Sequence, residues 1–448
     1  MLKRKIKKRL SYARVIVIGI LITILIGTLF LMLPISTRSG ESAGFTRSLF
    51  TATSAVCVTG LVLEDTYTFW SLFGQTVIIL LIQIGGLGFM TFITLFSLFM
   101  GRQVGLRERR LIMESSGIME LGSVMALLKR IIYGTFAIEG CGALLLSFRF
   151  CFEFGFWKGI YYSVFHSISA FCNAGFDLMG IHGKFSSLIP YANDLYVNII
   201  IISLIFIGGI GFIVWNDFIN HKFKFRRYRL HSKIVLTTSL ILILLGSFLF
   251  FVFEYNASLK DMALHEKILA SVFQSITPRT AGFATIDNAK LSESGTLLTI
   301  VLMLIGGSSG STAGGMKVGT LAILFLGMFA AAEKKKDIVV FRRRIDGDAV
   351  KQASSIAFIY ISVVIISSCL LCAIDGVPLG AAMFETSSAI GTVGSSMSLT
   401  PALSTISRYI LIFMMFGGRA GGLTLALFLA ERNKIVPVEH PSEKILIG

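Results

Sequence analysis

Charged residues are scarce in this chain of 448 residues. Asp, Glu, Lys and Arg make up only 15% of it, whereas 54% of the residues are hydrophobic and the mean hydropathy is +0.79. A soluble protein of this size cannot hide so much apolar surface. The composition therefore excludes a soluble globular protein and predicts an integral membrane protein.

Cysteine is also rare. The six residues lie within or beside apolar segments, at Cys57, Cys141, Cys151, Cys172, Cys369 and Cys372. Cys369 and Cys372 have the C-x-x-C spacing of redox or metal sites, but this pair lies in a predicted membrane helix without another metal-ligand cluster beside it. We therefore interpret all six as small core residues.

Acidic residues are fewer than basic ones, 25 against 41, and the formal net charge is +16. The basic residues cluster between long apolar runs and do not follow one face, which disfavours nucleic-acid binding. Five clusters contain 29 of the 41 Lys and Arg residues: 1–14, 102–130, 217–233, 333–351 and 432–448. Because cytoplasmic loops are enriched in Lys and Arg, these segments and both termini are predicted to be cytosolic.

A cleavable signal peptide is not predicted at the start of the chain. The apolar run 15–33 is about 19 residues long, enough to span a bilayer as a helix. The residues that follow, Pro34-Ile35-Ser36-Thr37, lack a small-x-small cleavage pattern. We interpret the run as the first transmembrane helix.

Variants of one three-residue sequence motif, called a phrase below, occur four times. Each copy comes just after an apolar segment that is too short to cross a bilayer. The glycines that end the phrases are 115, 107 and 112 residues apart, and the copies are Val58-Thr59-Gly60, Asn173-Ala174-Gly175, Thr280-Ala281-Gly282 and Thr392-Val393-Gly394. The short apolar segments are 45–57, 158–172, 261–276 and 379–390. Segments of this length are typical of re-entrant half-helices.

Long apolar runs flank each short segment. The preceding runs are 15–33, about 131–150, about 233–253 and about 352–372, and the returning runs are about 73–100, 195–215, 296–330 and 405–430. Each unit is thus predicted as helix, half-helix, loop and helix. The predicted division is a cytosolic tail 1–14, repeats 15–101, 131–216, 233–332 and 352–431, cytosolic loops 102–130, 217–232 and 333–351, and a cytosolic tail 432–448.

Non-helical backbone at membrane depth is tolerated only where protein or water surrounds it. The four loops should therefore converge on one aqueous axis. The predicted fold is an all-α integral membrane protein, with four pseudo-repeated helix, pore-helix, loop and helix units around one central pore.

Backbone carbonyls are predicted to form the ion-binding filter. Glycine permits dihedral angles that turn successive carbonyl oxygens toward an axis, where they replace the water shell of a cation. One such glycine is more often a helix-ending residue, but four in matching places favour a filter. The phrases contain no carboxylate, which favours a monovalent cation over a divalent one. All twelve phrase residues are predicted filter residues.

Glycine-rich motifs also occur in the returning runs. We interpret those at 85–88 and 208–211 as close helix packing. The segment 306–315, GGSSGSTAGG, differs because five glycines and four hydroxyls are incompatible with a regular helix. It is predicted to form an intramembrane loop that obstructs the pore, with gate residues Gly306, Gly307, Ser308, Ser309, Gly310, Ser311, Thr312, Gly314 and Gly315.

Arg419 lies inside the last returning run, 25 residues after Gly394. A buried arginine at such depth costs roughly 2.5 to 3.5 kcal/mol on insertion scales, so it should face water or a partner. A functional role and a structural pairing with a carboxylate or backbone carbonyls both remain open.

Four motifs resemble those of the Trk/Ktr/HKT superfamily of potassium transporters: MLP at 32–34, IQIGGLGF at 82–89, NAGF at 173–176 and TPRTAGF at 277–283. The resemblance covers nearly the whole chain, and eight spans without an extra N-terminal pair are similar to the KtrB-type subunit. It implies a potassium-conducting pore in a bacterial cytoplasmic membrane and a homodimer with one pore per subunit. It also implies a cytosolic ring of nucleotide-binding regulatory subunits of the KtrA type.

The resemblance places an intramembrane gating loop at 306–315 and a gate arginine at Arg419. Potassium at the filter is the expected ion, sodium remains open as a second one, and no organic cofactor is expected. Two other functions compete with potassium uptake. One is secondary transport of another monovalent cation through broken helices. The other is intramembrane serine proteolysis, based on G-x-S-G at 307–310 with His166 or His265 as the base.

Overall fold

The computed structural model describes residues 12–88, 124–335 and 337–421. This part of the chain is mainly helical, in agreement with the predicted all-α class. In chain order the helices are α1 (Tyr12–Met32), α2 (Phe45–Val56), α3 (Thr66–Phe69), α4 (Leu72–Leu87), α5 (Val124–Phe154), α6 (Phe156–Phe171), α7 (Leu195–Gly209), α8 (Phe212–His221), α9 (Leu230–Glu254), α10 (Leu264–Ile276), α11 (Glu293–Leu304), α12 (Val318–Ala332), α13 (Gly347–Asp375), α14 (Leu379–Gly391) and α15 (Thr405–Ala420).

Short elements complete the described part. Strands β1 (Ile338–Val340) and β2 (Arg343–Ile345) form an antiparallel hairpin between α12 and α13. Single 3-10 turns occupy Pro34–Ser36, Met179–Ile181, Ile189–Tyr191, Phe225–Arg227, Asn288–Lys290 and Thr400–Ala402. Of the predicted segments, the tails 1–14 and 432–448 and the loop 102–130 lie wholly or largely outside the described residues.

The described residues include four helices long and apolar enough to cross a membrane: Arg14–Met32, Leu127–Phe154, Leu230–Glu254 and Gly347–Asp375. They correspond to the predicted first span of each unit. Their outward faces carry exposed apolar side chains such as Leu29, Phe148 and Leu244, at 66%, 60% and 63% exposure. Such faces are suited to lipid, and the chain is a multi-pass membrane protein.

The four predicted half-helices are present as α2, α6, α10 and α14. Their ends follow local sequence signals. Gly44 and Gly155 precede α2 and α6 with φ of 76° and 82°, and Pro378 precedes α14. At α10, the Glu266 carboxylate accepts a hydrogen bond from Ala263 N at 2.9 Å. The second half of each helix is buried and rich in hydroxyls, which directs its polar groups inward.

The prediction that three of the returning runs are continuous spans was wrong. Helix α4 ends at Gly88 with φ 83°, α7 ends before Gly211 with φ 96°, and α15 ends at Gly421 with φ 85°. The chain bends by 97° between α7 and α8. Side chains rarely adopt this left-handed conformation, so glycine there ends a helix. The remainder of the predicted runs 73–100 and 405–430 lies outside the described residues from 89 and from 422.

Close packing at the glycine motifs 85–88 and 208–211 is confirmed. A Cβ built on Gly85 would overlap the Val56 carbonyl oxygen at the end of α2, and one on Gly208 would overlap the Phe171 carbonyl oxygen at the end of α6. The same glycine motifs therefore both pack against a half-helix and break the returning helix.

The cysteines are all free. Cys57 and Cys172 are fully buried at the ends of α2 and α6, as predicted. Cys141 and Cys369 are exposed instead, because they lie on the outward faces of α5 and α13. The prediction of six core residues was therefore wrong for these two.

Candidate functional site

The four phrases follow the four half-helices with the same backbone conformation. The first residue of each phrase has a left-handed φ although none is glycine: Val58 56°, Asn173 58°, Thr280 81° and Thr392 52°. The glycine two residues later also has a positive φ: Gly60 91°, Gly175 69°, Gly282 78° and Gly394 93°. The recurrence of two uncommon conformations at matched positions indicates one structural motif used four times.

The four glycines form a closed ring. A Cβ built on Gly175 would lie 2.7 Å from the Ala281 carbonyl oxygen and 3.1 Å from Gly282 Cα. Each other glycine meets the next phrase in the same way, Gly60 against Ala174 O, Gly282 against Val393 O and Gly394 against Thr59 O. The ring thus closes in sequence order, with a main-chain carbonyl beside each glycine.

The middle side chains of the phrases are fully buried. Thr59, Ala174, Ala281 and Val393 are all 0% exposed. Since these side chains pack into the surrounding protein, the ring presents main-chain atoms and not side chains. This arrangement can bind a cation through carbonyl dipoles.

Hydroxyl groups of the half-helices support the ring. Ser54 and Ser388 Oγ each accept a hydrogen bond from the glycine amide six residues later, at 3.0 Å. Ser169 and Thr277 hydroxyls donate instead to the carbonyls of Phe176 and Phe283, both at 2.6 Å. Sequence reasoning missed these residues, although a hydroxyl five or six residues before each repeated glycine was a detectable signal.

The predicted gate segment 306–315 is a loop between α11 and α12, as expected from its composition. Its start and end are paired, since Gly306 N donates to Met316 O at 2.7 Å. Thr312 Oγ1 donates to Phe171 O at 3.1 Å, and the Asn173 side-chain amide lies 3.3 Å from the same hydroxyl. A Cβ on Gly314 would overlap the Thr392 side chain. The loop therefore packs directly against the ends of α6 and α14.

Arg419 lies at the end of α15 and contacts this loop. Its guanidinium donates to Thr312 O and to Gly85 O, and lies 3.4 Å from Gly86 O. Of the two roles left open by the sequence, pairing with backbone carbonyls is thus present. The same contacts join the loop to the end of α4.

Lys317 is a second basic group here that sequence reasoning did not assign. Its Nζ donates to Ala313 O at 2.8 Å and to Gly314 O at 3.1 Å. Both basic side chains thus bind main-chain oxygens of the same loop segment.

A vestibule of about 290 Å³ lies on the other side of the ring. All four ring glycines line it, together with Asp65, Asp177 and residues of the outer loops. Among the described residues, no group of three or more His, Cys, Asp or Glu residues could hold a metal ion.

The histidines proposed as protease bases do not contact the G-x-S-G segment. His166 is buried in α6, with Nδ1 2.8 Å from Tyr162 O and Nε2 accepting from Leu178 N at 3.3 Å. His265 is at the exposed start of α10, beside Glu266. His231 Nε2 lies 3.5 Å from Ser308 Oγ, but the serine of the motif is Ser309.

These features define a membrane protein of the cation-transport class, in which four re-entrant segments meet on one axis. A family model described as "TrkH: Cation transport protein" matches residues 5–439. The chain belongs to this family.

Full-length relatives and a solved structure agree with this assignment. The chain is 39% identical to the potassium/sodium uptake protein NtpJ of Enterococcus hirae, over 100% of this chain and 99% of the relative. It is 39% identical to the Ktr system potassium uptake protein B of Bacillus subtilis, over 98% and 97%. The crystal structure of the potassium transporter TrkH from Vibrio parahaemolyticus has the same fold, with a TM-score of 0.73, 17% identity and coverage of 96% of this chain and 87% of that one.

Proposed function

We propose that this chain takes up potassium across the bacterial cytoplasmic membrane through a channel-like pore. The observation that carries the proposal is the closed ring of Gly60, Gly175, Gly282 and Gly394, each beside a carbonyl of the next unit. Relatives named for potassium uptake over their full length support the choice of ion.

In this proposal the filter consists of the four phrases. A cation on the ring axis exchanges its water shell for main-chain carbonyl oxygens, which need no carboxylate and suit a monovalent ion. Potassium is the bound ion, and sodium is a second ion that the Enterococcus hirae relative is named for. The filter residues are Val58, Thr59, Gly60, Asn173, Ala174, Gly175, Thr280, Ala281, Gly282, Thr392, Val393 and Gly394.

The loop 306–315 is the gate, and Arg419 holds it closed. The guanidinium bonds to Thr312 O and Gly85 O tie the loop to the end of α4, below the ring. The loop blocks ions sterically, and the fixed positive charge of Arg419 adds an electrostatic barrier in a low-dielectric cavity. In this role the G-x-S-G segment belongs to the gate and has no proteolytic function.

The assembly is a homodimer with one pore per subunit and a cytosolic ring of nucleotide-binding KtrA-type subunits. Two relatives of this chain, both from Bacillus subtilis, are named as potassium uptake proteins of a Ktr system. With both termini cytosolic, the basic loops 217–232 and 333–351 face the regulator, although topology alone accounts for much of their charge. Co-purification tests the partnership, which fails if no nucleotide-binding subunit from the same cell is retained.

Uptake of potassium, rubidium and sodium in cells that lack their own potassium transporters tests the function. The chain should restore growth at low potassium and accumulate potassium and rubidium. Transport of sodium alone, at membrane levels matched to an active relative, would favour the secondary transporter of another cation. Absence of all three fluxes with the regulator co-expressed would contradict the proposal.

A further inference from the structure

Each half-helix contains a phenylalanine followed by a polar residue, eight or nine residues before the ring glycine. The pairs are Phe50-Thr51, Phe165-His166, Phe273-Gln274 and Phe384-Glu385. All eight of these residues are 3% exposed or less. The polar member of each pair is therefore enclosed by protein, where a polar side chain is stable only with hydrogen-bond partners.

In the second and third units, the polar residue bonds to the loop that follows the ring. His166 Nε2 accepts a hydrogen bond from Leu178 N at 3.3 Å. Gln274 Nε2 donates to Asn288 Oδ1 at 3.1 Å. The half-helix thus holds its outer loop by one side-chain bond in each of these two units.

Glu385 of the fourth unit holds its outer loop more firmly. Its Oε1 accepts from Ser396 Oγ and from Met397 N at 3.1 Å, and its Oε2 accepts from Thr400 Oγ1 at 2.7 Å. Hydrogen bonds to a carboxylate are stronger than those between neutral groups. Both carboxylate oxygens therefore fix the segment 396–400, which begins two residues after the ring glycine.

The segment 396–400 is coupled to the fourth phrase. Met397 packs against an apolar cluster that contains Val393 and Phe384. The amide of Gly394 donates to Ser388 Oγ at 3.0 Å. The phrase is thus held at its glycine and again just after it, and all of these bonds lead back to α14.

We propose that Glu385 is a positioning residue for ion selection. By holding the segment 396–400, its carboxylate fixes the position of the Val393 carbonyl and so determines how strongly the ring prefers potassium over sodium. The inference rests on the proposed function and adds a determinant of selectivity outside the phrases. Discrimination between cations depends on the number and placement of the carbonyl dipoles, which supporting side chains must hold in place.

The test measures how potassium and sodium each inhibit rubidium uptake, in cells that lack their own potassium transporters. Glu385→Gln keeps the size of the side chain but leaves it one acceptor oxygen, so at least one of the three bonds is lost. The ratio of the sodium to the potassium inhibition constant should fall by about tenfold, the order expected for one lost bond to a charged group.

Thr400→Val removes one of the same bonds from the other side. Valine has nearly the shape of threonine and lacks the hydroxyl that donates to Glu385. The ratio should fall in this variant as well. Because the two residues act through one contact, Thr400→Val should add no further loss when it is combined with Glu385→Gln.

Glu254→Gln is the matched control. Glu254 is also 0% exposed and also accepts three hydrogen bonds, from Ser258 N, Ser292 N and Ser292 Oγ. It joins the end of α9 to the start of α11 and does not hold the segment after a phrase. This variant should lower the unfolding midpoint in detergent about as much as Glu385→Gln does, while the inhibition ratio stays at the wild-type value.

An unchanged ratio in both Glu385→Gln and Thr400→Val would overturn the positioning role and leave potassium uptake intact. An equal fall of the ratio in Glu254→Gln would overturn it too, because the effect would then follow from stability alone. If Glu385→Gln does not reach the membrane, Thr400→Val decides. Failure of the wild type itself to take up rubidium would instead contradict the proposed function.

Discussion

At the scale of single residues, the ring depends on backbone conformations that side chains rarely adopt. Thr280 has φ 81° although it is β-branched, and a left-handed conformation costs roughly 1–2 kcal/mol for such a residue. Local hydrogen bonds stabilise it: Thr277 Oγ1 donates to Phe283 O, and Ala281 N donates to Thr277 O at 2.9 Å. Strain that is retained in this way is typical of functional sites.

Gly282→Ser should lower potassium uptake and weaken discrimination against sodium. A Cβ at this position would overlap the Val393 carbonyl oxygen and lie 3.2 Å from Gly394 Cα, and the φ of 78° is unfavourable for serine. A strain of about 1–2 kcal/mol corresponds to a loss of roughly tenfold in transport rate. Ion uptake at matched membrane expression provides the measurement.

Gly380→Ser is the control for this change. Gly380 lies at the start of α14, with no atom within 4 Å of a built Cβ. The Gly380→Ser variant should take up potassium and exclude sodium as the wild type does. Unchanged potassium and sodium kinetics in Gly282→Ser and in the equivalent changes at the other three ring glycines would remove the filter assignment.

Arg419→Ala should raise the maximal potassium flux and reduce its dependence on the regulator. The substitution removes the bonds to Thr312 O and Gly85 O, and hydrogen bonds from a charged group contribute about 1.5–3 kcal/mol each. The closed loop should lose at least about tenfold in relative population. Selectivity should stay nearly constant, since the ring is not altered.

Arg408→Ala is a matched change in the same helix. Arg408 also donates to a main-chain oxygen, Pro401 O at 3.0 Å, but at the outer end of α15. The maximal potassium flux of the Arg408→Ala variant should remain at the wild-type level. Equal or lower flux in Arg419→Ala, at the same expression, would indicate that Arg419 serves packing and not gating.

Single residues of the site were predictable where a pattern repeats. The four glycines could be predicted because they recur at similar intervals, and Arg419 because a charge inside an apolar run is uncommon. The left-handed Val58 was not predictable, since a β-branched residue alone favours extended backbone. Its conformation depends on hydrogen bonds from the phrase to Ser54 O and Ala55 O, which form only once α2 has ended.

At the scale of helices, each unit combines an unbroken first span with a returning helix that is interrupted. Gly88, Gly211 and Gly421 end α4, α7 and α15, and the loop 306–315 separates α11 from α12. Gly211 also lies against this loop, since a Cβ there would be 2.9 Å from Ser309 O and 3.0 Å from Ser308 Oγ. The break at Gly211 therefore lies beside the loop 306–315.

Gly211→Ala should lower the thermal stability of the purified protein. The φ of 96° is unfavourable for alanine by roughly 1–2 kcal/mol, and the added methyl group presses on the loop. The unfolding midpoint in detergent measures the effect. Gly140→Ala is the control, because Gly140 lies within α5 with open space around it. Alanine favours a helix interior by about 0.5–1 kcal/mol, so this control should be neutral or more stable. A midpoint that rises in both variants would contradict a strained break at Gly211.

The half-helices were predictable to within a few residues, because each is a short apolar segment that one of the phrases follows. The breaks at Gly88 and Gly211 were not. Their motifs match both tight packing and helix termination, and the packing interpretation accounted for the glycines without a break. The contact between the returning helix and the end of a half-helix explains why tight packing and helix termination occur at the same glycine motif.

At the scale of the whole molecule, one chain builds a ring from four similar units that are not identical. The first and fourth units support their glycines with serine hydroxyls that accept from the amide, whereas the second and third use hydroxyls that donate to the following carbonyl. The two carboxylates that line the vestibule, Asp65 and Asp177, likewise belong to the first two units. The pore therefore differs from one side to the other, which a tetramer of identical chains does not permit.

The central claim is that the four phrases bind a cation through their carbonyl oxygens. The most direct measurement is the anomalous scattering of rubidium in crystals of the protein equilibrated with rubidium. We expect a peak on the axis of the ring, within coordination distance of the carbonyl oxygens of Thr59, Ala174, Ala281 and Val393. Ordered rubidium elsewhere in the membrane region, with no peak inside the ring, would contradict the account.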